Sequence, residues 1–244
     1  MVTAPNRLAR GAPPLSSLAV GIVAAAGALG AAVAAGDYAL ALDVAFWGRA
    51  FAAYAAGALC VAVLVLKARL AQTFGPANAV TLVRMALLAP LVAMLVERPG
   101  GGLAWFAVAL AIVGLVLDGM DGALARRTGY ATRFGARFDM ETDAALILVL
   151  SALCWAFDKA GAWILAAGAM RYAFAAAGML VPWLACPLPA SRRRQTVCVL
   201  QIVALLACLS PLFAPPWSGV AGAVGLTVLA WSFLVDVRWL ARRA

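Results

Sequence analysis

The chain has 244 residues, of which 66% are hydrophobic and only 12% are charged, and its mean hydropathy is +0.99. Because a soluble domain is usually about half apolar and about a quarter charged, this composition excludes a water-soluble globule and a disordered chain. The formal net charge is +9, and the absence of histidine excludes histidine-based triads, metal sites and proton shuttles.

Eight apolar stretches follow one another along the chain, and each has about the length that a helix needs to cross a bilayer. Charges, proline or glycine separate them, as at Asp158-Lys159 and Pro215-Pro216. Since a helix satisfies its own backbone hydrogen bonds in lipid, the pattern predicts an all-α polytopic membrane protein. The stretches cover, with approximate ends, residues 17–37, 46–66, 79–96, 103–125, 138–157, 160–181, 196–214 and 217–237.

The basic residues are divided unevenly between the two sides that eight alternating spans create. One side receives only Arg49, Arg98 and Lys159. The other side receives Arg7, Arg10, Lys67, Arg69, Arg126, Arg127, Arg133, Arg137, Arg192, Arg193, Arg194, Arg238, Arg242 and Arg243. Because lysine and arginine gather on cytoplasmic loops, this predicts a multi-pass protein of the cell (inner) membrane with both termini in the cytoplasm. The first stretch also resembles a cleaved signal peptide, an alternative that leaves the remaining topology unchanged.

Half of the acidic residues lie within one short segment, at the predicted cytoplasmic ends of the fourth and fifth stretches. Asp118 and Asp121 are three residues apart, and Asp139 and Asp143 are four apart. Both spacings place a pair of side chains on one face of a helix. Two such faces turned toward each other form a pocket of four carboxylates.

Four carboxylates at close range repel one another unless cations or protons are bound. A histidine-free set of oxygen ligands suits hard cations such as Mg²⁺ or Mn²⁺, and a pair of such ions is typical of phosphoryl transfer. Two alternatives remain open. The acids could be ordinary helix-end charges paired with nearby arginines, or part of an ion or proton pathway, which predicts acidic groups deep in several spans.

The segment that starts at Asp118 resembles the signature of the CDP-alcohol phosphotransferase family. It reads Asp118-Gly-Met-Asp121-Gly122-Ala-Leu-Ala125-Arg126, then Gly135, Asp139 and Asp143. Every fixed position of D-x2-D-G-x2-A-R-x8-G-x3-D-x3-D is present at its proper spacing. A weaker similarity precedes it, because Pro76-Ala-Asn78-Ala-Val-Thr81-Leu-Val-Arg84 resembles the P-N-x-x-T-x-x-R opening of the family's first core span.

The resemblance implies a fold, a reaction and roles for single residues. Six core helices would form a catalytic domain over residues 75–244, and residues 1–74 would be an N-terminal extension with two further transmembrane helices. Members of the family move a phosphatidyl or other phosphoalcohol group from a CDP-linked donor to an acceptor hydroxyl, and CMP leaves. By this resemblance two Mg²⁺ or Mn²⁺ ions are bound by Asp118, Asp121, Asp139 and Asp143, and Asp143 is also the general base. The implied nucleotide-binding residues are Asn78, Thr81, Gly122, Ala125, Arg126 and Gly135.

Several residues bear on the identity of the acceptor. Relatives that use glycerol 3-phosphate tend to carry a basic residue directly after the last aspartate, where this chain has Ala144. Glu141 should point to another helix face than Asp139 and Asp143, which predicts a surface or arginine-paired carboxylate. The candidates for an acceptor phosphate are Arg171, which could instead form a buried ion pair, and Arg192, Arg193 and Arg194, which could instead be a cytoplasmic anchor.

The sequence as a whole therefore predicts a membrane enzyme of phospholipid synthesis. The donor would be CDP-diacylglycerol or another CDP-alcohol, reached from the lipid bilayer, and a polar acceptor alcohol would enter from the cytoplasm. Glycerol 3-phosphate, an inositol-type phosphate and an amino alcohol stay open as acceptors. No nucleic-acid partner is predicted, since no soluble basic face is visible. Relatives imply a homodimer. The alternatives from other classes are a cation or proton transporter and a structural membrane protein.

Overall fold

The computed structural model describes residues 15–67, 76–128, 132–189 and 191–243, and their regular structure is helical. One α-helix corresponds to each predicted apolar stretch. The helices are α1 (Leu15–Leu40), α2 (Val44–Lys67), α3 (Pro76–Ala93), α4 (Gly101–Thr128), α5 (Arg133–Ala156), α6 (Leu165–Leu180), α7 (Arg192–Leu209) and α8 (Trp217–Ala241). Three short 3₁₀ segments, Met94–Val96, Ala162–Ile164 and Pro182–Ala185, lie in the connections.

Among the described helices, six are long and apolar enough to cross a membrane: α1, α2, α3, α4, α6 and α8. The other two begin with charged turns. The first half of α5 carries the signature acids, and α7 opens with Arg192, Arg193 and Arg194. α7 also ends at Leu209, earlier than the predicted stretch. Ser210 after it is extended because Pro211 follows, and a residue before proline avoids the helical conformation.

α3 is the central helix of the bundle. It packs against α1, α2, α4 and α5. Of the residues in its most apolar segment, 61% are buried inside the protein, whereas the corresponding share is 28% in α1 and in α2. Its polar side chains are therefore inside the protein: Asn78, Thr81 and Arg84 are at most 5% exposed. A polar group in such a position requires partners within the protein, which explains why the site forms around this helix.

The first two helices lie directly on α3. Gly21 of α1 faces Ala79 and Leu82, where a Cβ would come within 3.3 Å of the Cα of Ala79. Tyr54 of α2 donates a hydrogen bond to the carbonyl of Ile22 at 2.8 Å. The N-terminal pair thus supports the helix that carries Arg84.

Two basic residues on the side that has few of them make polar contacts within the protein. Arg49 of α2 forms an ion pair with Glu97, just after α3. Lys159 follows α5 and donates to the carbonyls of Ser210 and Phe213, at 3.1 Å each. These contacts fasten the end of the bundle that is opposite to the signature acids.

α5 and α6 approach each other closely at Gly168. A Cβ at this position would overlap the Cα of Leu148. We expect Gly168→Ala to lower the free energy of unfolding by about 1–3 kcal/mol, because the two backbones must separate to admit the methyl group. Thermal unfolding of the detergent-solubilised protein measures this. Gly27→Ala is the matched control, since nothing lies within 4 Å of that position, and equal melting of the two variants would contradict the packing.

Candidate functional site

Three of the four signature aspartates converge at one end of the bundle. Asp118 comes from α4, and Asp139 and Asp143 stand one turn apart on α5. One carboxylate oxygen from each lies within 4.8 Å of the others, and all three side chains are partly buried. The side chains of Asp121, Gly122, Ala125 and Arg126 lie outside the described part of the structure.

Arg84 of α3 lies at the centre of these carboxylates. Its Nη1 is 2.9 Å from Oδ1 of Asp118 and also pairs with Oδ1 of Asp139, while Nη2 pairs with Oδ1 of Asp143. The Arg84 side chain is only 2% exposed, so it does not extend toward the membrane surface. Among the side chains that the structure describes, a cation from α3 therefore meets all three aspartates.

Cys198 of α7 approaches the other side of Asp143. Its Sγ is 3.9 Å from Oδ2 of that carboxylate, within the range of a weak thiol hydrogen bond. Since Arg84 contacts Oδ1, the two oxygens of Asp143 face different groups. The sequence contains no signal for this contact, because the apolar surroundings of Cys198 indicate only a small buried residue.

The predicted nucleotide contacts Asn78 and Gly135 meet beside the aspartates. Thr132 caps α5 by accepting a hydrogen bond from the Gly135 amide at 3.0 Å. A Cβ on Gly135 would lie 2.6 Å from Oδ1 of Asn78, so glycine is needed for this close approach. Thr81, one turn along α3, is buried and donates a hydrogen bond to the carbonyl of Ala77 at 3.2 Å.

Three of the predicted acceptor contacts already have acidic partners. Arg171 of α6 forms an ion pair with Glu141, which agrees with the arginine-paired alternative for Glu141. Arg193 pairs with Asp236 of α8 and donates to the carbonyl of Ser232 at 2.6 Å, and Arg194 is 3.4 Å from Asp236. Asp236 is 8% exposed. The sequence does contain a signal for Asp236, because an acid inside an apolar stretch needs a partner. Its position in the sequence does not indicate which residue that partner is.

The described acids near the middle of the chain are grouped at one end of α4 and α5 and do not follow several spans through the protein. This arrangement does not match the pathway of acidic groups that a proton or ion transporter predicts. A compact set of carboxylate oxygens instead suits a bound cation.

Comparison with known proteins identifies the family. The family model described as CDP-alcohol phosphatidyltransferase matches residues 74–235, about two thirds of the chain. No curated protein and no solved structure gives a match. The chain therefore belongs to the CDP-alcohol phosphatidyltransferase family, and it is a multi-pass membrane enzyme that transfers substituted phosphate groups.

Proposed function

We propose that this member of the family transfers a phosphatidyl group from CDP-diacylglycerol to the hydroxyl of a polar acceptor and releases CMP. The observation that carries the proposal is the convergence of Asp118, Asp139 and Asp143 around one end of α3. The apolar surfaces of the surrounding helices give the acyl chains of the donor a place in the bilayer, while the head group lies at the carboxylates. The polar acceptor enters from the cytoplasmic side.

The donor set fits divalent metal ions. Three carboxylates bring three negative charges together, and Arg84 offsets only one of them, so a partly buried excess of negative charge remains. Oxygen ligands without histidine match Mg²⁺ or Mn²⁺. We assign two ions to Asp118, Asp121, Asp139 and Asp143. When bound, they neutralise the diphosphate and favour the departure of CMP.

Asp143 is the general base of the proposed reaction. The acceptor hydroxyl gives its proton to this carboxylate as its oxygen forms a bond to the phosphorus that carries the lipid alcohol. The bond from that phosphorus to the oxygen of CMP breaks in the same displacement. Asp143 suits the role because it is only 20% exposed and its two oxygens are held from different sides by Arg84 and Cys198.

The nucleotide lies along the N-terminal parts of α3 and α5 and the end of α4. We assign Asn78, Thr81 and Gly135 to its binding site, and the resemblance assigns Gly122, Ala125 and Arg126 to the same site. Glycine and alanine leave room for the cytidine diphosphate, and an arginine can pair with two phosphate oxygens at once. The proposed catalytic domain, residues 75–244, contains all of these positions.

Gly135→Ala should weaken donor binding more than it slows the chemical step. The new methyl group would displace Asn78, whose Oδ1 lies 2.6 Å from its position, but it does not reach the aspartates. We expect the KM for the CDP-linked donor to rise roughly tenfold, which is about 1.4 kcal/mol of binding, with a smaller change in kcat. Steady-state kinetics with varied donor measure the split. A loss of kcat at unchanged KM would contradict this placement of the nucleotide.

The acceptor site lies between α5, α6 and the start of α7. Arg171, Arg193 and Arg194 border it, but each is already paired with Glu141 or Asp236. A phosphorylated acceptor therefore has to compete with these acids, whereas the neighbouring Arg192 is exposed and has no such competitor among the described contacts. An amino alcohol places no such demand on the arginines.

The experiment that tests this function follows CMP release by the purified protein in detergent. CDP-diacylglycerol is combined with glycerol 3-phosphate, inositol, inositol phosphate, serine or ethanolamine, whereas CDP-choline, a CDP-linked headgroup alcohol, is combined with diacylglycerol as the lipid acceptor. CMP and a new lipid that depend on CDP-diacylglycerol and on one acceptor support the proposal. Turnover with only the CDP-linked headgroup alcohol would replace the assigned donor. Absence of turnover and of nucleotide binding would refute the proposal.

A further inference from the structure

We infer that Arg84 is a built-in cation of the carboxylate site, and that it exchanges with the divalent ion instead of binding beside it. The inference rests on the proposed function only for the identity of the ion. Its physical basis is the position of the guanidinium, which contacts all three converging aspartates from within the bundle. No other described arginine or lysine has ion pairs with more than one of these acids.

The contacts of Arg84 use the oxygens that converge. Nη1 bridges Oδ1 of Asp118 and Oδ1 of Asp139, which is the place of a cation shared by two carboxylates. A magnesium ion requires its oxygen ligands at about 2.1 Å, closer than any hydrogen bond permits. The Nη1 group therefore cannot stay in its present position when these oxygens bind an ion.

The negative charges of the three aspartates explain why Arg84 takes the place of a metal ion at this site. The aspartates come from two helices and are partly buried, so without a counter-ion their repulsion would separate α4 from α5. Arg84 brings a positive charge from a third helix and holds the acids together before an ion arrives. Once an ion takes over this role, the guanidinium is released from at least part of its pairing.

After its release, the Arg84 guanidinium must stay close to the carboxylates. The cavity beside Arg84 has a volume of only about 10 Å³, room for about one water, and leucines such as Leu87, Leu91 and Leu110 line it. A charged guanidinium cannot withdraw into that apolar space. It therefore remains next to the metal site, where a diphosphate offers new oxygen partners.

Binding of Mn²⁺ alone, without nucleotide or lipid, tests the exchange. We compare the full-length wild-type protein in detergent with Arg84→Gln and Arg84→Lys by calorimetry or by the Mn²⁺ resonance signal. Exchange predicts that Arg84→Gln binds Mn²⁺ about tenfold more tightly, since the ion no longer has to displace a competitor. Arg84→Lys should also bind more tightly than wild type, because a single ammonium cannot span three carboxylates as the planar guanidinium does.

The lysine variant separates exchange from simple charge repulsion. If Arg84 acted only through its charge at a distance, Arg84→Lys would bind Mn²⁺ as wild type does, and the inference would be wrong. Unchanged or weaker binding by Arg84→Gln would also overturn it, since Arg84 would then support the metal site. Arg49→Gln, which loses an ion pair with Glu97 at the opposite end, should leave Mn²⁺ affinity unchanged.

A second measurement covers the case in which Arg84→Gln folds poorly. Exchange predicts that Arg84→Lys unfolds at a lower temperature than wild type in EDTA, and that Mn²⁺ raises its midpoint by more than it raises that of wild type. Equal increases in both proteins would contradict exchange. The metal-binding and unfolding measurements contain no substrate. An absence of CMP release with every donor would therefore refute the proposed function without changing the outcome of these two measurements.

Discussion

Replacement of Asp143 by asparagine should reduce turnover by about 10²–10⁴-fold, which is the usual contribution of a general base. The amide keeps the size of the side chain but cannot accept the proton of the acceptor hydroxyl. CMP release at saturating donor and metal measures the loss, and equilibrium binding of the CDP-linked donor should fall only a few-fold. This combination distinguishes a lost chemical step from a lost binding site.

The control for this variant is Asp37→Asn. Asp37 is an exposed carboxylate near the end of α1, at the opposite end of the bundle from the signature acids, and it should be replaceable without loss of turnover. Near-normal CMP release by Asp143→Asn would show that the proton is accepted elsewhere. The assignment of Asp143 as the base would then be wrong.

Asp118→Asn should weaken metal binding and donor binding together. Asp118 is the residue of α4 whose described side chain joins the two acids of α5, and it offers a negatively charged oxygen that an amide lacks. We expect a loss of Mn²⁺ affinity of about a hundredfold or more, because changing even an outer-shell partner of a metal ligand costs about 10–100-fold. Titration of CMP release with Mn²⁺ measures the shift.

The two aspartate variants should respond differently to excess metal. High Mn²⁺ should restore much of the activity of Asp118→Asn, because its defect is one of occupancy. The same treatment should not restore Asp143→Asn, which lacks the proton acceptor. If excess metal rescued neither variant, or if Asp118→Asn bound Mn²⁺ as wild type does, Asp118 would not be a ligand.

The convergence of Asp118, Asp139 and Asp143 could be predicted from the sequence because helical spacing is local. Residues three and four apart share a helix face, and two apolar stretches joined by a short glycine-containing segment must return toward each other. The same rule separated Glu141 from the two aspartates that flank it, and its partner is Arg171. The all-helical membrane fold followed similarly from composition and from the length of the apolar stretches.

The contacts of Arg84 could not be predicted in the same way. It is 55 residues before Asp139 and 59 before Asp143, and only the packing of α3 against α4 and α5 joins them. Cys198 and Asp236 were missed for the same reason, since their partners lie on other helices. The limits of α5 and α7 were also imprecise, because hydropathy does not detect helical turns that are charged.

The division into residues 1–74 and 75–244 stays a prediction, and the structure adds a contact across its limit that the sequence did not indicate. α1 and α2 do not merely precede the catalytic helices; they cover α3, the helix that carries Asn78, Thr81 and Arg84. The proposed cytoplasmic orientation of the site follows from the distribution of basic residues, and the proposed homodimer follows from the family resemblance.

If the carboxylate site transfers a phosphatidyl group from a CDP-linked donor with the help of divalent metal, CMP release should require both Asp143 and the metal. CMP release from CDP-diacylglycerol is therefore measured with the acceptor that supports turnover, in Mg²⁺ or in EDTA, for purified wild type, Asp143→Asn and Asp37→Asn. We expect metal-dependent release by wild type and Asp37→Asn, and almost none by Asp143→Asn. Release that persists in EDTA, or that is equal in all three proteins, would show that the carboxylate site does not carry out the transfer.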